Sequence, residues 1–232
     1  MRLDRFIAKN QSVSERSARE WIVAEKVSVN GRPTREYLSR VNRFDQISLK
    51  AEILQRGSEV LYLMLNKPEG ILSATKDDEH TTVLDLIDHP DKASLHLAGR
   101  LDRSSTGLIL LTNDGNWSER LTQPGAKVAK SYLVETDRPI PKDAVESFDT
   151  GFDFPSEGIK TRPAQLTLLG PCKARVILQE GRYHQIKRMF HRIDEIKLVS
   201  LHRESIGKIN LPHDLAPGAS RPLTKSEIES VR

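Results

Sequence analysis

The sequence predicts an α+β protein: a small N-terminal domain followed by a larger one with a mostly antiparallel mixed sheet flanked by helices. Three observations predict it. Short runs of strand character at 60–65, 108–111, 131–136 and 175–178 are interspersed with helical segments. Charge is segregated, because residues 1–60 hold 12 Lys+Arg against 8 Asp+Glu while the remaining 24 basic and 24 acidic residues balance. Finally, 37% hydrophobic and 29% charged residues suit a packed globular chain, and 232 residues suffice for one large domain and a small one.

The elements follow in order. Leu3, Phe6 and Ile7 fall at helical spacing, and Ser12 with Glu15 reads as a capping box opening a second helix. On that helix Ala18 and Ile22 share an apolar face and Arg16 and Arg19 a basic one. Val27, Val29 and the turn Asn30-Gly31 signal a hairpin, and 47–49 a further strand. Residues 51–58 read as a short linker, which sets the domains at 1–58 and 59–232. In the second domain the strand at 60–65 ends in the turn Lys67-Pro68-Glu69-Gly70, and 108–111 stops at Asn113-Asp114-Gly115. Ser131 to Thr136 alternates like a half-buried strand, Pro141 opens a helix through Phe148, and 175–178 is another strand. His184 to Arg192 reads as a helix, and Thr224 with Glu227 caps a last one.

Several function classes lack support. The longest apolar run, Val60 to Leu65, is far too short to cross a bilayer. Met-Arg-Leu-Asp-Arg leads into no apolar signal region, and one thiol, Cys172, cannot form an internal disulfide, so a cytoplasmic location is expected. The seven histidines are scattered, and His184 and His191 lack the four-residue spacing of a helical ligand pair, so no metal site is expected. No Gly-x-Gly-x-x-Gly, P-loop or Gly-x-Ser-x-Gly occurs.

The most informative stretch runs from Gly99 to Leu108, where Asp102 sits between Arg100 and Arg103 and before Ser104, Ser105 and Thr106. Flanking cations favour an ionised carboxylate. A plainer reading is a turn capped by Asp102, with the hydroxyls satisfying backbone amides. A second basic stretch, 182–203, carries Arg182, Lys187, Arg188, Arg192, Lys197 and Arg203, with Tyr183 and Phe190 interleaved and histidines 184, 191 and 202 as further donors. It reads as RNA-contacting surface beside the cleft that would hold Asp102.

Gly99-Arg100-Leu101-Asp102 with the hydroxyls after it, Gly107-Leu108 and Thr112-Asn113-Asp114-Gly115 resembles the signature of the RsuA/RluA pseudouridine synthase superfamily. The other blocks of that superfamily occur in order: Asn66 to Gly70, Lys130 to Val134, and Glu180 to Phe190. Residues 1–58 resemble the S4 RNA-binding module, an αL-like pair of helices before a curled sheet. The resemblance rests on Arg2-Leu3-Asp4, Ser14-Glu15-Arg16, Ala18, Ile22 and Val27 to Gly31, with Phe44-Asp45 where Gly-Asp is usual.

The resemblance implies an enzyme that isomerises uridine to pseudouridine in RNA. No atoms enter or leave and no electrons are exchanged, so no cofactor is implied. It makes Asp102 the catalytic carboxylate, attacking sugar or base, stabilising charge or removing a sugar proton. Tyr132 becomes the tyrosine against the target base, Lys187 the basic partner of the aspartate with Arg188 the competing candidate, and Leu201 an apolar residue beside the base. RNA contacts are expected from Arg2, Arg5, Arg16, Arg19, Lys67, Arg100, Arg182, Arg188 and Arg203. For Tyr132 and Leu201, core packing is the alternative. Within the superfamily the chain resembles the branch acting on 16S ribosomal RNA, by resemblance at position 516. The implied partner is that RNA or a small-subunit assembly intermediate, with no membrane, and the chain is expected to be a monomer. A large-subunit (23S) enzyme and a non-catalytic RNA-binding assembly factor are the alternatives.

Overall fold

The computed structural model describes residues 1–123 and 125–231 and, of Ser156, the backbone. The chain divides into two compact units, Met1–Val60 and Leu61–Arg232.

In the first unit, helices α1 (Leu3–Gln11) and α2 (Glu15–Val23) precede strands β1 (Val27–Val29), β2 (Arg32–Pro33), β3 (Ile47–Leu49) and β4 (Glu52–Gln55). The strands form an antiparallel sheet in the order β2-β1-β3-β4. Leu3, Ile7, Ala18 and Ile22 from the helices bury against Val27, Val41, Ile47 and Leu49. Two expectations are corrected. Ser14, not Ser12, caps α2: it has extended backbone and accepts from Ser17 N at 3.1 Å, whereas Ser12 is left-handed (φ 54) and closes α1. An N-cap needs the extended conformation, and only Ser14 has it. Residues 52–55 are a strand hydrogen-bonded to β3 and not linker; with four half-exposed or exposed residues they carry too little alternation to show it.

The second unit is built on strands β5 (Tyr62–Lys67), β6 (His96–Leu97), β7 (Thr106–Thr112), β8 (Lys130–Thr136), β9 (Asp153–Phe154), β10 (Ile159–Lys160), β11 (Gln165–Gly170), β12 (Lys173–Leu178), β13 (Leu198–Ile206), β14 (Ile209–Asn210) and β15 (Ser220–Pro222). Helices α3 (Gly115–Thr122), α4 (Ala144–Thr150), α5 (Gln185–His191) and α6 (Lys225–Glu229) complete it. The main sheet runs β11-β12-β8-β13-β7-β5-β15, with β6 beside β7 and β14 beside β13. Among the described residues its pairings are antiparallel except β13 with β7, so the sheet is mixed and mostly antiparallel, as predicted.

Strands β5 and β7 bury both faces, which is why they read as unbroken apolar runs. Leu63, Leu65, Ile109 and Leu111 point into one cluster with Val134, Val176, Phe148 and Phe190. Met64, Leu108 and Leu110 point into the other with Trp117, Leu121 and Ile206. On α5, Ile186, Met189 and Phe190 fall at the three- and four-residue spacing of one helical face and pack into the first cluster. Lys187 is thereby turned off that face.

Thr106 and Gly107 of β7 pair with His202 and Arg203 of β13 at the parallel step in the sheet. A Cβ on Gly107 would lie 2.4 Å from the Arg203 carbonyl oxygen, and its φ of +100° is one that side chains disfavour. Only glycine lets the two strands approach there. The loop carrying Asp102 enters β7 at this point.

Candidate active site

Asp102 lies on the loop between β6 and β7, and buried polar groups hold that loop from below. Lys67, fully buried at the end of β5, donates from Nζ to the carbonyls of Ser105 (2.7 Å), Pro68 (3.0 Å) and Arg103 (3.1 Å). Burial pushes its ammonium down to about 8, against the pull of Asp102 and Glu69. Arg203, 2% exposed, donates from Nε to Leu108 O at 2.7 Å and from Nη1 to Arg100 O at 3.3 Å. Two buried cations therefore fix carbonyls on either side of Asp102. Ser73 adds a reciprocal pair with Leu101, donating to its carbonyl at 2.6 Å and accepting from its amide at 3.0 Å.

Above this support the Asp102 side chain faces a cleft of about 380 Å³ lined by Glu69, Gly70, Arg103, Ser104, His184 and Lys187. Lys187 Nζ is 3.1 Å from Asp102 Oδ2 and donates to Ser104 Oγ at 3.0 Å. His184 Nε2 lies 3.5 Å from Asp102 Oδ1. The cleft thus presents the Asp102 carboxylate, oriented by the Lys187 ammonium and partly open to solvent. Such a group can attack an electrophilic carbon or stabilise developing positive charge. Among the described residues, no group of three or more His, Cys, Asp or Glu side chains converges as for a metal ion.

Residues 61–192 match the family described as RNA pseudouridylate synthase. The chain belongs to that family. Over 231 residues it is 48% identical to a ribosomal small subunit pseudouridine synthase A of Pseudomonas aeruginosa, covering 100% of both chains. It is 42% identical to the protein of the same name from Escherichia coli K12, again over 100% of both. A solved pseudouridylate synthase structure superposes with a TM-score of 0.73 at 38% identity, covering 100% of each chain. The protein is accordingly a pseudouridine synthase of the RsuA type, an isomerase of RNA uridine.

On this synthase the expected site residues separate into groups. Asp102 and Lys187 meet in the cleft. Arg188 does not compete for the aspartate: it pairs with Glu157 and lies over the Phe154 ring, 4.0 Å from its centroid. Tyr132, 7% exposed, belongs to the core cluster and has the Arg203 guanidinium 6.0 Å from its ring centroid. Leu201 is corrected to a core residue, opposite Val134 in the sheet and absent from the cleft lining. Lys67 and Arg203 are corrected too, because side chains this buried cannot touch RNA and hold backbone carbonyls instead. Arg100 and Arg182 are exposed.

In the first unit Arg2 and Arg19 converge on buried Asp4 at 2.5 and 2.8 Å, which holds that carboxyl at about 2. Arg5 and Arg16 pair with Glu15 and Glu20 at the surface. His184 was legible only as a spare donor in a basic stretch; its place in the cleft follows from a left-handed backbone (φ 49) that no motif announces.

A second cleft, about 640 Å³, opens on the other face of the sheet. Its Arg175 and Glu204 satisfy each other at 2.8 and 3.2 Å, and burial pushes its His202 down.

Proposed function

We propose that this synthase converts one uridine of small-subunit (16S) ribosomal RNA, at position 516, to pseudouridine, in the cytoplasm and as a monomer. The observation that carries the reading is the Asp102–Lys187 pair, 3.1 Å apart in an open cleft on a doubly clamped loop. The Pseudomonas aeruginosa and Escherichia coli relatives, matched from end to end and both named as small-subunit enzymes, support the choice of RNA. The first unit, read as an S4 module, binds RNA through the arginines around Asp4, and a salt-sensitive affinity follows.

The reaction breaks the bond from the sugar's C1′ to N1 of uracil and forms one from C1′ to C5. N1 gains a proton and C5 releases one, so atoms and electrons balance without a cofactor. The Asp102 carboxylate acts on the sugar–base unit as the glycosidic bond breaks, and Lys187 with Ser104 keeps it in place. A stacked uridine reaches the cleft only by leaving its helix.

Release of the C5 proton supplies the test. Small-subunit RNA, naked or in assembly intermediates, labelled with tritium at uridine C5 should release one equivalent of label per RNA. Large-subunit RNA should release none. Label released from large-subunit RNA alone would overturn the target and keep the chemistry.

A further inference from the structure

Tyr183 stands at the rim of the cleft and is 76% exposed as a residue. A ring of that size is normally buried or engaged. Here one face is covered by His184, with ring centroids 3.8 Å apart and 21° between the planes. His184 lines the cleft and reaches Asp102 at 3.5 Å. Its backbone is left-handed at the start of α5, where its side chain makes no capping bond. A residue with a Cβ rarely takes that conformation, and here it accompanies an imidazole directed into the cleft.

The turn beneath the rings is held in place. Arg188 Nη1 donates to Tyr183 O at 3.4 Å, and Arg182 N donates to Gln185 Oε1 at 3.0 Å. Gln185 Nε2 is in turn fixed on Glu180 Oε1 at 2.6 Å. The result is a two-ring stack whose inner ring reaches Asp102 and whose outer ring belongs to an exposed side chain.

We propose that the outer face of Tyr183 stacks an unpaired base of the RNA adjacent to the target uridine. The inference rests on the cleft being the site of the reaction. When the target leaves its stack, its neighbours lose a stacking partner, and an exposed aromatic ring replaces it without regard to base identity. The target itself belongs further in, since its sugar must reach Asp102. Tyr183 is one ring further out, the place of a neighbouring nucleotide. It is therefore a residue that sets RNA register, distinct from the group that acts on the sugar.

The test uses the RNA that the wild-type chain modifies, with tritium release as readout, and the same RNA made abasic at either nucleotide flanking the target. Tyr183→Ala should raise KM about tenfold, as loss of one base–aromatic stack does, with kcat within about threefold. Tyr183→Phe should behave as wild type. The abasic change should raise the wild-type KM yet add nothing in Tyr183→Ala. Because the side chain is exposed, thermal melting should be the same for all three proteins. A wild-type KM in Tyr183→Ala, or equal abasic penalties in both proteins, would overturn the platform. No label released by the wild-type chain from any ribosomal RNA is a separate result, and would overturn the reaction at this cleft and the platform with it.

Discussion

Replacing Lys67 with methionine keeps the bulk of the side chain and removes its charge from beneath the catalytic loop. Three carbonyls, of Pro68, Arg103 and Ser105, then lose their donor in a buried setting. Hydrogen bonds from a charged donor contribute roughly 1.5–3 kcal/mol each, about 4–9 kcal/mol together. Against this stands the cost of burying the ammonium. A titration point moved from 10.5 to about 8 corresponds to roughly 3 kcal/mol at neutral pH. The difference leaves Lys67→Met destabilised by about 1–6 kcal/mol, to be read from urea unfolding of the Leu61–Arg232 unit.

The pH dependence of that difference has a fixed sign. Lys67 titrates lower in the folded protein than in the unfolded chain, so between pH 8 and 10.5 the unfolded chain binds more protons. Stability attributable to Lys67 therefore rises with pH across that window, and the gap between wild type and variant widens by up to about 3 kcal/mol. A destabilisation under about 1 kcal/mol at pH 7, or a gap that narrows above pH 8, would show that Lys67 does not clamp the loop through these carbonyls.

Three further outcomes follow from the same geometry. Gly107→Ala forces a Cβ to 2.4 Å from the Arg203 carbonyl at a positive φ, and should cost about 3 kcal/mol or more in the same unfolding assay. Lys187→Met should lower kcat by about 10²–10³-fold with RNA affinity nearly unchanged in filter binding, whereas Arg188→Ala, which loses a contact to Glu157, should lower kcat far less. Asp4→Asn should destabilise the first unit by about 1–2 kcal/mol at pH 7, discounted for its half-exposed arginine partners. Because the Asp4 carboxyl is held at about 2 against an ordinary 3.8, that contribution is complete above pH 4 and fades as pH falls toward 2, where variant and wild-type melting curves should converge.

Much of the fold was legible where a strand or helix carries its own pattern. Strand β7 was visible because burial on both faces makes Leu108 to Leu111 uniformly apolar, and α6 because Thr224 and Glu227 form the reciprocal box found there. Strand β13 escaped notice: its nine residues include His202, Arg203 and Glu204, and the burial of Arg203 depends on carbonyls 95 and 103 positions away. Helix α3 escaped because the Asn113-Asp114-Gly115 signal reads as a turn, whereas Asp114 is its N-cap. At the site, Asp102 and Lys187 were found through motifs. Lys67 and Arg203 were misassigned to RNA for a physical reason: a lysine or arginine in sequence looks like surface, and only the packed structure shows it satisfying carbonyls inside.

The most direct test of the account is single-turnover tritium release from small-subunit ribosomal RNA by the wild-type chain and by Asp102→Asn, with RNA affinity measured in parallel. Asparagine keeps the size of the side chain and removes the negative charge beside Lys187. The expected rate is lower by about 10³-fold or more at equal affinity. A variant that still releases label at near the wild-type rate would contradict it.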